Sequence, residues 1–137
     1  MLVDLQLESG PSGHQVRECT ADGVRVDNRM LTRSFLLTAD RIEDDIALDA
    51  VQALDDEAES SRIVERLLAR QPELVLLGTG SRLMFPPPRF QAALLRRGIG
   101  LETMDNAAAA RTFNLLAGES RRVAALFLLP TDPATTG

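Results

Sequence analysis

The chain has 137 residues, 45% of them hydrophobic, a net charge of −5 and no lysine, so all fifteen of its basic residues are arginine. That length and apolar content fit one domain whose core can fold without staples. A single cysteine, Cys19, and a single histidine, His14, exclude a disulfide framework or a Cys/His zinc site within one chain, and the acidic balance argues against general nucleic-acid binding, which needs a positive footprint.

No apolar run approaches the roughly 18 to 20 residues that span a bilayer. Met1 to Gly10 alternates Leu2, Leu5 and Leu7 with Asp4, Gln6 and Glu8 instead of building a signal-peptide core, so a soluble, cytoplasmic protein is expected. Val3 to Glu8 reads as a first strand. Gln15 to Thr20 and Gly23 to Asn28, flanking Ala21-Asp22, read as a hairpin, and Arg33 to Thr38 as a further strand. Glu43 to Glu59 is acidic, with Ile46, Leu48, Val51 and Leu54 set among the carboxylates. EF-hand spacing and its turn glycine are missing, so a solvated connecting face is expected rather than a metal site.

The period then changes. Ile63, Leu67 and Leu68 follow helical spacing, with Ser60 or Ser61 as N-cap and Pro72 just beyond the end. Leu74 to Leu77 reads as a strand, Pro88 to Arg97 as a helix closed by Gly98, and Ile99 to Met104 as a strand, an order that implies a parallel crossover. Asp105 or Asn106 caps a third helix running through Ala117, with Gly118 as its stop. Arg122 to Leu129 is an almost unbroken apolar run, as expected of a strand covered on both faces. Thr131 to Gly137 reads as a frayed tail, which leaves residues 1–130 as the domain.

Within this frame, Gly78-Thr79-Gly80 invites a nucleotide reading that its surroundings defeat. A dinucleotide fingerprint needs a third glycine where Leu83 stands and a helix that begins at once, whereas Pro86-Pro87-Pro88 delays it. The phosphate loop of nucleotide hydrolases needs a lysine. Two readings remain: a turn that requires positive φ, or a turn whose amides stand open at the carboxyl end of a strand, where open α/β sheets usually bind ligands. In the third helix, Ala109, Phe113 and Leu116 should face the sheet, while Arg111, Asn114 and Gly118 form a polar stripe. Arg111 either serves a ligand or pairs with Glu119 or a strand carboxylate.

The segments Pro72 to Gly80 and Gly98 to Pro130 resemble the small single-domain Mth-type family that includes the mitochondrial NADH dehydrogenase (complex I) assembly factor 3 and the adipogenesis-associated Mth-type domain protein. Gly78, Thr79, Gly80, Pro87, Met104, Ala108, Arg111, Thr112, Asn114, Leu116, Glu119 and Arg121 stand where the family pattern places them. The chain departs from that pattern in lacking tryptophan and in carrying Asn106, Ala110, Phe113 and Ser120 where relatives tend to have Thr, Cys, Tyr and Gly. The resemblance implies a three-layer α/β/α domain with a central mixed sheet and an N-terminal β-hairpin region. It also implies a non-catalytic protein-binding module that assists assembly of a respiratory or other membrane complex, with no cofactor.

The alternative is a binder of a small anionic metabolite near Gly78 to Gly80 and Arg111. The binding residues common to these readings are Gly78, Thr79, Gly80, Arg82, Asp105, Asn106, Arg111, Asn114, Glu119 and Arg121. No catalytic residue is assigned: His14 lies in a hairpin strand without a nucleophile signature, and nothing in the sequence brings Asp105 to Glu119.

Overall fold

A computed structural model describes residues 13–130. The expected strand at Val3 to Glu8 and the tail at Thr131 to Gly137 lie outside the described residues. Three short strands come first, β1 (Val16–Cys19), β2 (Val24–Val26) and β3 (Arg29–Leu31), forming an antiparallel sheet in that order. Then follow β4 (Phe35–Thr38), β5 (Arg41–Glu43), a 3-10 turn (Val51–Asp55) and α1 (Glu57–Ala69). The chain closes with β6 (Leu74–Gly78), α2 (Pro88–Leu95), β7 (Gly100–Met104), α3 (Asn106–Gly118) and β8 (Val123–Phe127). The second sheet runs β5-β4-β8-β6-β7. Its β6 is parallel to both β7 and β8, while β4 is antiparallel to β8 and β5, so the sheet is mixed as expected.

The apolar run at β8 explains its central place. Val123, Ala125, Phe127 and Leu129 pack on one side of the sheet with Ala109 and Phe113 of α3 and with Val24 and Val26 of the small sheet. Ala124, Leu126 and Leu128 point the other way, toward Ile63 and Leu67 of α1 and Phe90 and Leu94 of α2. Alternation of Cβ direction along a strand turns one continuous hydrophobic run into two cores. Phe35 and Phe127, partners in the β4–β8 register, stack with ring centroids 4.9 Å apart. Fully burying one such side chain stabilises the fold by about 1.5–3 kcal/mol.

Several sequence expectations shift in detail. The N-cap of α1 is Asp56, whose carboxylate accepts from the Glu59 amide, and Ser60 lies buried inside the helix, because the acidic first turn extends it toward the N-terminus. The helix α3 is capped by Asp105 and runs through Gly118; the left-handed residue beyond it is Ser120, at φ +63. The family pattern that the sequence resembles implies glycine there, and this left-handed conformation is the one that favours it. The acidic stretch is more than a solvated face. The Glu43 carboxylate lies between Arg66 (2.6 Å) and Arg70 (3.2 Å), and Asp45 also meets Arg66 (2.7 Å), tying β5 to α1. The short strands β3 and β5, with three residues each, carried too little pattern to be read.

Candidate functional site

The Gly-Thr-Gly turn sits at the carboxyl end of β6, between β7 and β8, and its polar groups are engaged from within. The Thr79 amide donates to the Met104 carbonyl at 3.0 Å. The Gly80 amide donates to Asn106 Oδ1 at 3.1 Å, and Asn106 Nδ2 donates to the Leu128 carbonyl at 3.1 Å. Asn106 is 3% exposed, so one carboxamide joins the ends of β6 and β8 at the first residue of α3. Of the two readings left by the sequence, the geometry favours the turn that requires positive φ over the one whose amides stand open.

The two glycines have different reasons. Gly80 has φ +101, the conformation that favours glycine. At Gly78, a Cβ would lie 2.3 Å from Asn106 Oδ1, so the close approach of the asparagine requires its absence.

Thr79 also sets the next loop. Its hydroxyl donates to the Arg82 carbonyl at 2.6 Å and accepts from the Met84 amide at 3.1 Å. Pinned in this way, the loop projects Leu83 and Phe85, 50% and 76% exposed, beside Pro86 to Pro88. Met84, Phe85 and the three prolines face Val51, Gln52 and Asp55 across a groove of about 470 Å³. The sequence signal for this apolar loop is "LMFPPP", directly after the glycine turn, and it matches no motif of known chemistry.

The other predicted residues separate into three places. Asp105 is engaged as a helix cap, accepting from the Ala108 amide at 2.8 Å. Asn114 holds strand β1 to α3: its Oδ1 accepts from the Val16 amide (2.9 Å) and its Nδ2 donates to the Val16 carbonyl (2.8 Å), much as a neighbouring strand would. Arg111 is exposed and forms no ion pair with a described residue, Glu119 included; with Arg17 it lines a groove of about 250 Å³ between β1 and α3. Glu119 and Arg121 lie beyond the far end of α3. A 13-residue helix separates them from Asp105 and Asn106 by roughly 18 Å of axis, so one small ligand cannot touch both groups. Arg82, exposed, stays at the turn.

The groups with reactive potential are occupied otherwise. His14 Nδ1 meets Asp27 Oδ2 at 2.7 Å, and no hydroxyl or thiol of a described residue hydrogen-bonds to the ring. Burial, and secondarily the Asp105 charge, push the Cys19 thiol above its ordinary pKa, which favours the protonated form over a nucleophilic thiolate. Among the described residues, no group of three or more His, Cys, Asp or Glu side chains is arranged to hold a metal ion. None of the described helices is long and apolar enough to cross a membrane.

A mixed sheet with a stapled Gly-Thr-Gly turn and the α3 segment that follows define the class, and comparison with known proteins agrees. Residues 16–128 match the family described as protein of unknown function (DUF498/DUF598), and the chain belongs to that family. A Xanthomonas campestris protein of known solution structure is 37% identical, with a TM-score of 0.75 over 91% of each chain. A Francisella tularensis protein named 13 kDa major membrane protein is 27% identical over 101 residues, 69% of this chain and 82% of that one. The Xenopus tropicalis NADH dehydrogenase [ubiquinone] 1 alpha subcomplex assembly factor 3 is 34% identical over 71 residues, 49% of this chain and 39% of that protein. The Mth-type resemblance read from the sequence therefore holds.

Proposed function

We propose that this chain is a non-catalytic, cytoplasmic protein-binding module that assists assembly of a respiratory or other membrane complex. The observation that carries the reading is the loop after the glycine turn, where Leu83 and Phe85 are held out to solvent by Thr79 and by consecutive prolines. Large apolar side chains fixed in this way lose little conformational freedom on docking, which lowers the cost of association. Arg82, exposed in the same loop, adds a polar edge to this apolar centre, a common interface plan. The similarity to a protein named as an assembly factor points the same way.

Affinity capture of the tagged chain from its own cells, read by mass spectrometry, tests the reading. A specific set of proteins should be recovered, and Phe85→Ser with Leu83→Ser should lose it while Arg17→Gln does not. Recovery that is identical for all three chains would remove the loop from the account. Asn114→Ala would be a poor surface probe, since it releases β1 from α3.

A second reading, a small anionic metabolite near the turn and Arg111, is favoured by one observation: Arg17 and Arg111 line a groove and neither forms an ion pair with a described residue. With the Thr79 and Gly80 amides engaged, such a ligand would rest on guanidinium groups alone. Loss of a metabolite-induced thermal shift in Arg111→Gln is its test.

A further inference from the structure

At the opposite end of the parallel strands, where β6 and β8 begin, lies a depression of about 380 Å³ lined by Arg70, Arg121 and Arg122 together with Thr38, Asp40 and Ser120. Three arginines and one carboxylate line it, and two of the arginines also pair with carboxylates outside the lining, Arg70 with Glu43 and Arg121 with Glu73, in a chain whose net charge is −5.

Two of the arginines are anchored through Nε: Arg121 Nε donates to Glu73 Oε2 at 3.3 Å and Arg122 Nε donates to the Gln71 carbonyl at 3.1 Å. Arg70 is placed by an ion pair, its buried Nε lying 3.2 Å from Glu43 Oε2 without a hydrogen bond. The terminal guanidinium nitrogens of all three make no hydrogen bond to a described residue. A guanidinium fixed at Nε presents its remaining N–H groups in a fork that matches a phosphate or carboxylate.

The same place is the meeting point of two helix ends, whose carbonyls would ordinarily repel an anion. Here several of those carbonyls are capped by amides of the chain that follows. The Arg70 and Gln71 amides donate to Leu67 and Leu68 at the end of α1, and the Ser120 and Arg121 amides donate to Ala117 and Leu116 at the end of α3. Asp40 is held by the Thr38 hydroxyl at 2.9 Å and keeps acceptor capacity for a hydroxyl group.

We propose that this pocket binds a small phosphorylated metabolite, its phosphate on the forks of Arg70, Arg121 and Arg122 and a hydroxyl of its carbon skeleton on Asp40. The volume lies within the range of about 300–1,000 Å³ usual for small-molecule sites, which leaves space for more than a bare anion. Of the residues singled out from sequence, Arg121 alone belongs here; Arg70 and Arg122 carried no motif. The proposal stands apart from the protein-binding surface, which lies at the other end of the strands.

The test is a titration of the full chain, followed by ¹H–¹⁵N NMR at constant ionic strength, with inorganic phosphate, glycerol 3-phosphate and, separately, vesicles containing phosphatidic acid. Saturable movement of the Thr38, Asp40 and Arg122 amides is expected, with glycerol 3-phosphate tighter than phosphate. Arg121→Gln with Arg122→Gln should weaken it about tenfold or more, as loss of charged hydrogen bonds does. Ser120→Asp, which keeps all three arginines and places a carboxylate at the mouth in a conformation that aspartate tolerates, should weaken it as well. Arg111→Gln should not.

A response to vesicles alone, lost in the same variants, would assign the phosphate to a lipid headgroup. Absence of saturable movement with any of the three probes, movement equal to that caused by chloride, or movement retained in both pocket variants would overturn the proposal.

Discussion

The two ends of strand β6 are built on opposite plans. At its carboxyl end, the residues that look most like a site are engaged by one another: Asn106 satisfies Gly80 and Leu128, and Thr79 satisfies Arg82 and Met84. At its amino end, three arginines, of which only Arg121 belongs to a recognisable pattern, leave their terminal guanidinium nitrogens without hydrogen bonds to described residues. A recognisable pattern therefore marks where backbone and side chain must meet closely, while the surfaces proposed to bind a partner or a ligand lie beside it, in an apolar loop, or far from it, in an arginine pocket.

This contrast can be broken most severely at Asn106. Replacing it with alanine leaves the Gly80 amide and the Leu128 carbonyl without their partner, and the expected loss is about 2–4 kcal/mol of unfolding free energy, since each buried group left unsatisfied costs about 1–3 kcal/mol. Urea denaturation measures it; a change below about 0.5 kcal/mol would mean that the carboxamide is not a structural staple.

Gly78→Ala comes next. The added methyl meets Asn106 Oδ1, and a cost of about 1–3 kcal/mol is expected, as for overpacking elsewhere. In the Asn106→Ala background the same substitution should cost much less, and a double-mutant cycle reads that coupling.

A smaller, opposite effect is expected at the far end of α3. Ser120→Gly relieves a left-handed residue and should raise the thermal midpoint, by an amount equivalent to about 0.5–1 kcal/mol, because the steric penalty for an L-residue there is about 1–2 kcal/mol and glycine's greater freedom when unfolded offsets part of the gain. An unchanged or lower midpoint would contradict the assignment of that position as the helix stop.

The smallest effect concerns acid. The His14 hydrogen bond, aided by the Gln15 amide, holds the Asp27 carboxyl below the ordinary aspartate value, which is about 3.9 in an unfolded chain. The folded state thus binds this proton less readily than the unfolded state does. The stabilisation is fully present above the unfolded value and is lost as pH falls through the lowered one. Asp27→Asn should flatten the stability profile below about pH 4, as acid titration followed by circular dichroism would show.

Much of the fold was legible because its signals were strong. The seven-residue run from Val123 to Leu129, buried throughout, marked the central strand, and helical spacing marked α1 and α3. The staple was legible only as a pair of glycines and a residue at a helix start, since nothing in a sequence shows that Asn106 reaches back to Gly80 and across to Leu128. Asn114 likewise had the look of a binding residue, and the Val16 backbone it holds lies 98 positions away. The arginine pocket was hidden for the same reason: Thr38, Arg70 and Arg122 come together only when β4, the end of α1 and the start of β8 are assembled.

The central claim is that the partner surface lies on the loop beyond the turn. Its most direct test is photo-crosslinking in living cells with benzoylphenylalanine at position 85, beside the same group at the exposed position of Glu65 on α1. Position 85 should give a discrete adduct with another protein, and position 65 should not. Absence of an adduct at 85, or the same products from both positions, would contradict the account.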